Sequence, residues 1–288
     1  MRTIPTTPLV RRYRDLGPMS QAQRLAQARK ALDQPEALAS EFAASVERFR
    51  AYDNAREHFY PPTRAPRQAG AVVERTNDLV LALRDHGGLD PRDALDRVTD
   101  HDAGSGVTSV AAVDLACDYV HRELVVQRTT SPAGWDDGAS NRGGGTRLDV
   151  LLADRADRTP IVGELKLPGD RDPYYALVQA LACASNLATP NQYARMRAHL
   201  RAGRFPAGEN PPRFDIFVLV VEEPGHEGIT PKGRCANGLK LAAETLAPRL
   251  LAQPAIARFI RRIATLRLAR DPGEVAAQVR LAWEGAQP

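Results

Sequence analysis

The sequence is poor in cysteine and lysine, and it has no long apolar run. The three cysteines of the 288 residues are Cys117, Cys183 and Cys235. They are odd in number and widely spaced, with no C-x-x-C pair, which argues against a disulfide framework and a zinc knuckle. They read instead as small buried apolar residues in a reducing compartment. No stretch approaches the ~20 apolar residues of a membrane span. The opening MRTIPTTPLVRRYRDLG has no apolar run of signal-peptide length. A cytoplasmic protein without membrane contact is the expectation. The six histidines (His58, His86, His101, His121, His199 and His226) lack paired ligand spacing, which argues against a histidine-metal hydrolase. Only four of the 39 basic residues are lysines (Lys30, Lys166, Lys232 and Lys240), so a lysine at a basic position is a chemical choice.

What is present is ordinary for a globular chain: 43% hydrophobic and 26% charged residues. The length accommodates one large domain, or a core with an appendage. A net charge of +4 permits a polyanionic partner without demanding one. Helical periodicity predicts helices over 21–32, capped by Ser20, and over 36–52. Phe59-Tyr60-Pro61-Pro62 breaks the pattern, and further helices are expected over 72–85 and 92–98. A polar linker at 101–106 divides a helical N-terminal region, 1–104, from a second domain, 105–288. Within the latter the pattern predicts a helix over 108–122, a strand over 123–129, a loop over 131–145, strands over 146–153 and 160–167, a helix over 172–188, a strand over 214–221 and a helix over 239–251. Residues 263–268 fit a strand or a helix. The order describes an α/β fold with a mixed sheet covered on both faces.

The strands TRLDVLLA and PIVGELKL each place charge inside an apolar run, where it is costly unless paired or metal-bound. Side chains alternate along a strand, so Asp149 opposes Leu148 and Val150, while Glu164 and Lys166 share a face. A symmetric turn through 154–159 pairs Ala153 with Pro160, and the same register sets Asp149 across from Glu164, within ~5.5 Å between Cβ atoms. Facing like charges destabilise a sheet; a divalent cation removes that penalty, and Mg²⁺ suits one or two carboxylates. Such an ion with a partly desolvated lysine provides the parts for in-line phosphodiester hydrolysis. An interstrand salt bridge through Lys166 is the alternative reading.

At Asp149, Glu164 and Lys166 the chain resembles the PD-(D/E)XK nuclease superfamily, the restriction-endonuclease-like fold. The motif is an acid on the second strand, then (D/E)-x-K on the third. Residue 148 is leucine, where the motif has proline. The resemblance covers 108–251. It implies an α-β-β-β-α-β core and a metal-dependent nuclease using Mg²⁺, with Mn²⁺ as a substitute, on DNA ahead of RNA. A catalytically inactive nucleic-acid-binding or protein-interaction module on the same fold is the alternative, and a homodimer is compatible with either. It also implies that Gln179, on the following helix, reaches the site, and that the helix before the first strand supplies a further acid. Asp114 is preferred there over Asp118 and Glu123.

Other features bear on substrate. Arg142, Arg147 and Arg171 flank the motif and are expected to contact phosphates, since bidentate guanidinium geometry suits them. Gly143-Gly144-Gly145 lacks the lysine and helix start of a P-loop and reads as loop. Asp170 and Asp172 read as helix caps.

Overall fold

Side chains that satisfy exposed helix ends set the first elements. In α1 (Pro8–Leu16), Thr7 accepts a bond from the Val10 N–H and Pro8 sits in the first turn. In α2 (Gln21–Asp33), Ser20 and Gln23 form a reciprocal capping box. The third helix, α3, spans Pro35–Asp53. The structure, a computed structural model, describes residues 6–53, 117–126, 147–166, 172–200, 205–207, 211–222, 231–269 and 277–281. The expected helices over 72–85 and 92–98, the break at 59–62, the linker, the loop over 131–145 and the domain boundary lie outside them.

The remaining elements are β1 (Cys117–Val125), β2 (Arg147–Asp154), β3 (Pro160–Lys166), α4 (Pro173–Leu187), α5 (Pro190–His199), β4 (Phe214–Glu222), α6 (Pro231–Leu251), α7 (Pro254–Ala257), β5 (Ile260–Ala269) and β6 (Ala277–Leu281). The strands form one mixed sheet in sequential order. β1–β2, β2–β3 and β5–β6 are antiparallel, while β3–β4 and β4–β5 are parallel. The fold is therefore α/β with helices packed on a mixed sheet. No helix among the described residues is long and apolar enough to cross a membrane.

One expectation is corrected. Residues 117–122 were expected to be helical, but they lie in β1, paired with β2 from Cys117↔Asp154 to Val125↔Arg147. Long-range backbone pairing has outweighed local helical periodicity, helped by Tyr119 and Val120, which suit a pleated surface. Residues 263–268 lie within β5, whose partners on both sides settle what periodicity left open. α1, α5, α7 and β6 were not anticipated.

The core lies between the sheet and the helices. Leu151, Ala153, Val162, Ile216 and Val218 face α4, and the opposite face, with Val150, Leu152, Ile161, Phe217 and Leu219, is equally buried. Every residue of α4 except Tyr175 is buried. It contacts β3 and β4 on one side and α1, α3 and α6 on the other, so an apolar stripe on one face would not suffice. Its small residues, Ala176, Ala180 and Ala184, let both layers approach. The helices of residues 8–53 share this core.

The β2–β3 hairpin turns through Asp154–Thr159. The Asp154 N–H bonds Thr159 O at 2.9 Å, and the Ala156 and Thr159 amides donate to the Asp154 and Asp157 carboxylates. Arg158 sits at φ +65°. Arg261 at the start of β5 bonds Asp154, Asp157 and Asp215 together, and Arg155 and Arg158 pair with Asp118. Pairing then begins at Ala153↔Pro160, the register expected from the sequence, and continues to Val150↔Gly163.

The hairpin generates two predictions. A Cβ at Gly163 would lie 2.6 Å from Val150 Cγ1 and 3.1 Å from the Val150 carbonyl oxygen. Gly163→Ala is expected to cost about 1–3 kcal/mol, read as a lower denaturation midpoint. The second concerns acid. Burial tends to raise the Asp118 carboxyl, but Arg158 and Arg155 outweigh it and hold the group below its ordinary range. Asp157 is lowered likewise, with Thr159 and Arg261 outweighing burial. Carboxyls depressed in the folded state contribute stability that is present above their unfolded pKa, about 3.9, and lost as pH falls through the folded value. Melting temperature should drop as pH falls below about 4, and Asp118→Asn with Asp157→Asn should flatten that drop.

Candidate active site

The three odd charges of the hairpin stand at its open end, away from the turn. Alternation from Leu151 and Val162, which are cross-strand partners, puts Asp149, Glu164 and Lys166 on the face that α4 covers. Asp149 and Glu164 lie one position beyond the last paired residues, Val150 and Gly163. The Asp149 carboxylate instead reaches across to β3, where its Oδ2 accepts the Leu165 N–H at 2.8 Å. It is thereby held beside the peptide linking Glu164 to Lys166. Glu164 is fully buried and Lys166 is 6% exposed, while Asp149 is half-buried. Glu164 and Lys166 lie beside Val218 and Val220 of β4. A carboxylate and an ammonium so deeply placed are costly to bury, and such groups concentrate at functional sites.

α4 is locked over this spot. Asp172 caps it by accepting the Tyr175 N–H at 2.8 Å, as expected from the sequence, with Pro173 in the first turn. The Gln179 Nε2 donates to the Arg147 carbonyl at 2.9 Å, tying the helix to β2 two residues before Asp149. Gln179 thus stands near the site, with its amide bonded to the backbone. The Lys166 Nζ lies 5.1 Å from the centre of the Tyr175 ring, within cation–π range.

The N-terminal helices also reach the site. Tyr13 of α1 stacks on Tyr175, centroids 4.7 Å apart and planes 16° from parallel. Arg24 of α2 lies 4.8 Å from the same ring. Its guanidinium bonds the Leu16 and Gly17 carbonyls and pairs with Asp172 at 3.0 Å, so it braces the end of α1 against the cap of α4. α1 is fixed from behind as well: the Leu9 N–H donates to Ser45, and Arg12 makes a two-point ion pair with Glu41. Burial, then hydrogen bonding with Tyr175 and the nearby charge of Glu164, push the Tyr13 phenol far above its usual range. Neither Tyr13 nor Arg24 was anticipated. Both lie well over a hundred residues from the motif, and nothing local in α1 or α2 marks them.

The other expected residues divide. Arg147 is exposed, on the same side of β2 as Asp149 by alternation. Asp118 stands on β1 in ion pairs with Arg155 and Arg158. Asp114, Arg142, Arg171 and Asp170 lie outside the described residues, and for Glu123 only the backbone in β1 is described. Among the described residues no group of three or more His, Cys, Asp or Glu side chains is placed to hold a metal ion. The donor set at the hairpin is two carboxylates, Asp149 and Glu164. Hard oxygen donors of that number suit Mg²⁺, which keeps its remaining positions for water and phosphate oxygen.

No family model, curated protein or solved structure matches the chain.

Proposed function

We propose that the protein is a metal-dependent nuclease that hydrolyses phosphodiester bonds, DNA ahead of RNA, at Asp149, Glu164 and Lys166 on a restriction-endonuclease-like core. The observation that carries this reading is the bond from the Leu165 N–H to Asp149, which brings the first acid of the motif against the strand segment bearing the second acid and the lysine. The sheet supports it too. An antiparallel β1–β2–β3 meander, a helix and a parallel β4 follow one another in the order the resemblance implies.

Asp149 and Glu164 would hold Mg²⁺ between them. When bound, the ion supplies a Lewis acid that offsets charge developing on the phosphoryl oxygens. The Leu165 N–H fixes the orientation of the Asp149 carboxylate. The Lys166 amine, steadied against the Tyr175 ring, donates a hydrogen bond to the attacking water or to a non-bridging phosphate oxygen. Gln179 holds β2 in place beneath the substrate. Val218 and Val220, alongside Glu164 and Lys166, exclude bulk water and strengthen each of these electrostatic contacts.

The test uses plasmid and single-stranded substrates with and without Mg²⁺. Asp149→Asn keeps an acceptor for Leu165, Glu164→Gln keeps the shape of the buried side chain, and Lys166→Met keeps the apolar stem. Each is expected to lower Mg²⁺-dependent cleavage by about 100-fold or more with the protein still folded. Full activity in these variants, or activity of the wild type without a divalent ion, refutes the assignment. Mg²⁺ or Mn²⁺ binding that is lost in Asp149→Asn, without cleavage in the wild type, would instead identify an inactive binding module.

A further prediction concerns the arginines. Neutralising Arg142, Arg147 and Arg171 together should weaken nucleic-acid binding. The fall of log affinity with log salt should also flatten, by up to ~0.9 for each duplex phosphate that is no longer neutralised. Unaltered affinity and slope would show that the substrate enters elsewhere.

A further inference from the structure

Hydrolysis at Lys166 engages Tyr175 only where the two side chains meet and leaves Tyr13 without a role. Both tyrosines are half-buried, and Tyr175 is the one residue of α4 that is not buried. The two rings form a near-parallel stack beside the Lys166 ammonium. We propose that the Tyr13–Tyr175 pair is a stacking platform for an unpaired base, which makes the substrate of the site single-stranded nucleic acid. The inference rests on the nuclease reading for its substrate and deepens it.

The stack's geometry, the chemistry of bases and the neighbouring charge carry it. A nucleobase is a flat aromatic surface that extends an existing parallel stack, and such stacking is how proteins hold single strands without reading their sequence. In a duplex the base faces are already covered by their neighbours, so a platform of this kind selects unpaired bases. Cations stand beside the stack: Arg24 lies over the Tyr175 ring while also pairing with Asp172, and the Lys166 ammonium lies over the same ring. Arg14, next to Tyr13 in α1, is exposed, where a strand's phosphates would pass. α1 therefore forms a wall of the site, with a base against Tyr13 and the backbone led toward Lys166.

The experiment measures binding of the full chain, in EDTA so that no strand is cut, to a fluorescein-labelled oligothymidylate and to an abasic strand of equal length. Charge alone gives equal affinities; stacking favours the base-bearing strand, by about fivefold or more. Tyr13→Leu is expected to bring the ratio near one, and Tyr13→Trp to keep it. Equal affinities in the wild type, or an unchanged ratio in a folded Tyr13→Leu, overturn the platform. If Tyr13→Leu does not fold, the wild-type ratio and that of Tyr13→Trp decide. Asp149→Asn separates the two readings, since it should stop cleavage and leave the ratio intact. A base preference in a wild type that cleaves nothing in Mg²⁺ supports the platform and sinks the nuclease; cleavage without a base preference does the reverse.

Discussion

Side chains on a strand alternate between its faces, so a slip of one residue in the β2–β3 hairpin would carry Glu164 and Lys166 to the side of Val150 and Leu219. The site depends on the pairing of Ala153 with Pro160. Two devices hold that register. One is the turn, where Asp154 and Asp157 satisfy backbone amides and Arg261 ties the turn to β4 and β5. The other is Gly163, which leaves room for Val150 directly across the ladder. At the open end the ladder gives way to a single side-chain bond from the Leu165 amide to Asp149. That departure lets an acid lean over the neighbouring strand.

The charges of the sheet are handled differently at its two ends. Near the turn, Asp118, Asp154, Asp157 and Asp215 are matched by Arg155, Arg158, Arg261 and Arg262 in geometries that leave little unpaired. These forks suit guanidinium, and arginine supplies them throughout. At the other end stand two carboxylates and a lysine, a compact point charge with rotatable donors. The arginine network is what a stabilising cluster looks like in this protein, and the Asp149–Glu164–Lys166 group is built from different chemistry.

α4 joins the N-terminal helices to the sheet. It is covered all round because the sheet lies on one side of it and α1, α3 and α6 on the other. A helix in that position transmits the placement of the N-terminal helices to the site. Arg24 does this most directly, by binding the end of α1, the cap of α4 and the face of Tyr175 at once. The first helices therefore belong to the same core as the sheet and stand against Tyr175, the ring that meets Lys166.

Local pattern decided a good deal. The helices over 21–33 and 35–53, the strands β2 and β4, the cap at Asp172 and the hairpin register follow from periodicity, capping chemistry and a short symmetric turn, all of which act over a few residues. The three charges of the candidate site stood out for the same reason, as each breaks an apolar run. What the sequence could not decide required contacts between distant segments. Cys117–Val125 became a strand because β2 offered it a ladder, and β5 was resolved by having partners on both sides. Tyr13 and Arg24 came to Tyr175 because α4 is buried on nearly every side and must be flanked by whatever helices the chain provides. Residues 8–33 carry no trace of that encounter, since stacking and ion pairing across more than 100 positions arise only once the core has closed.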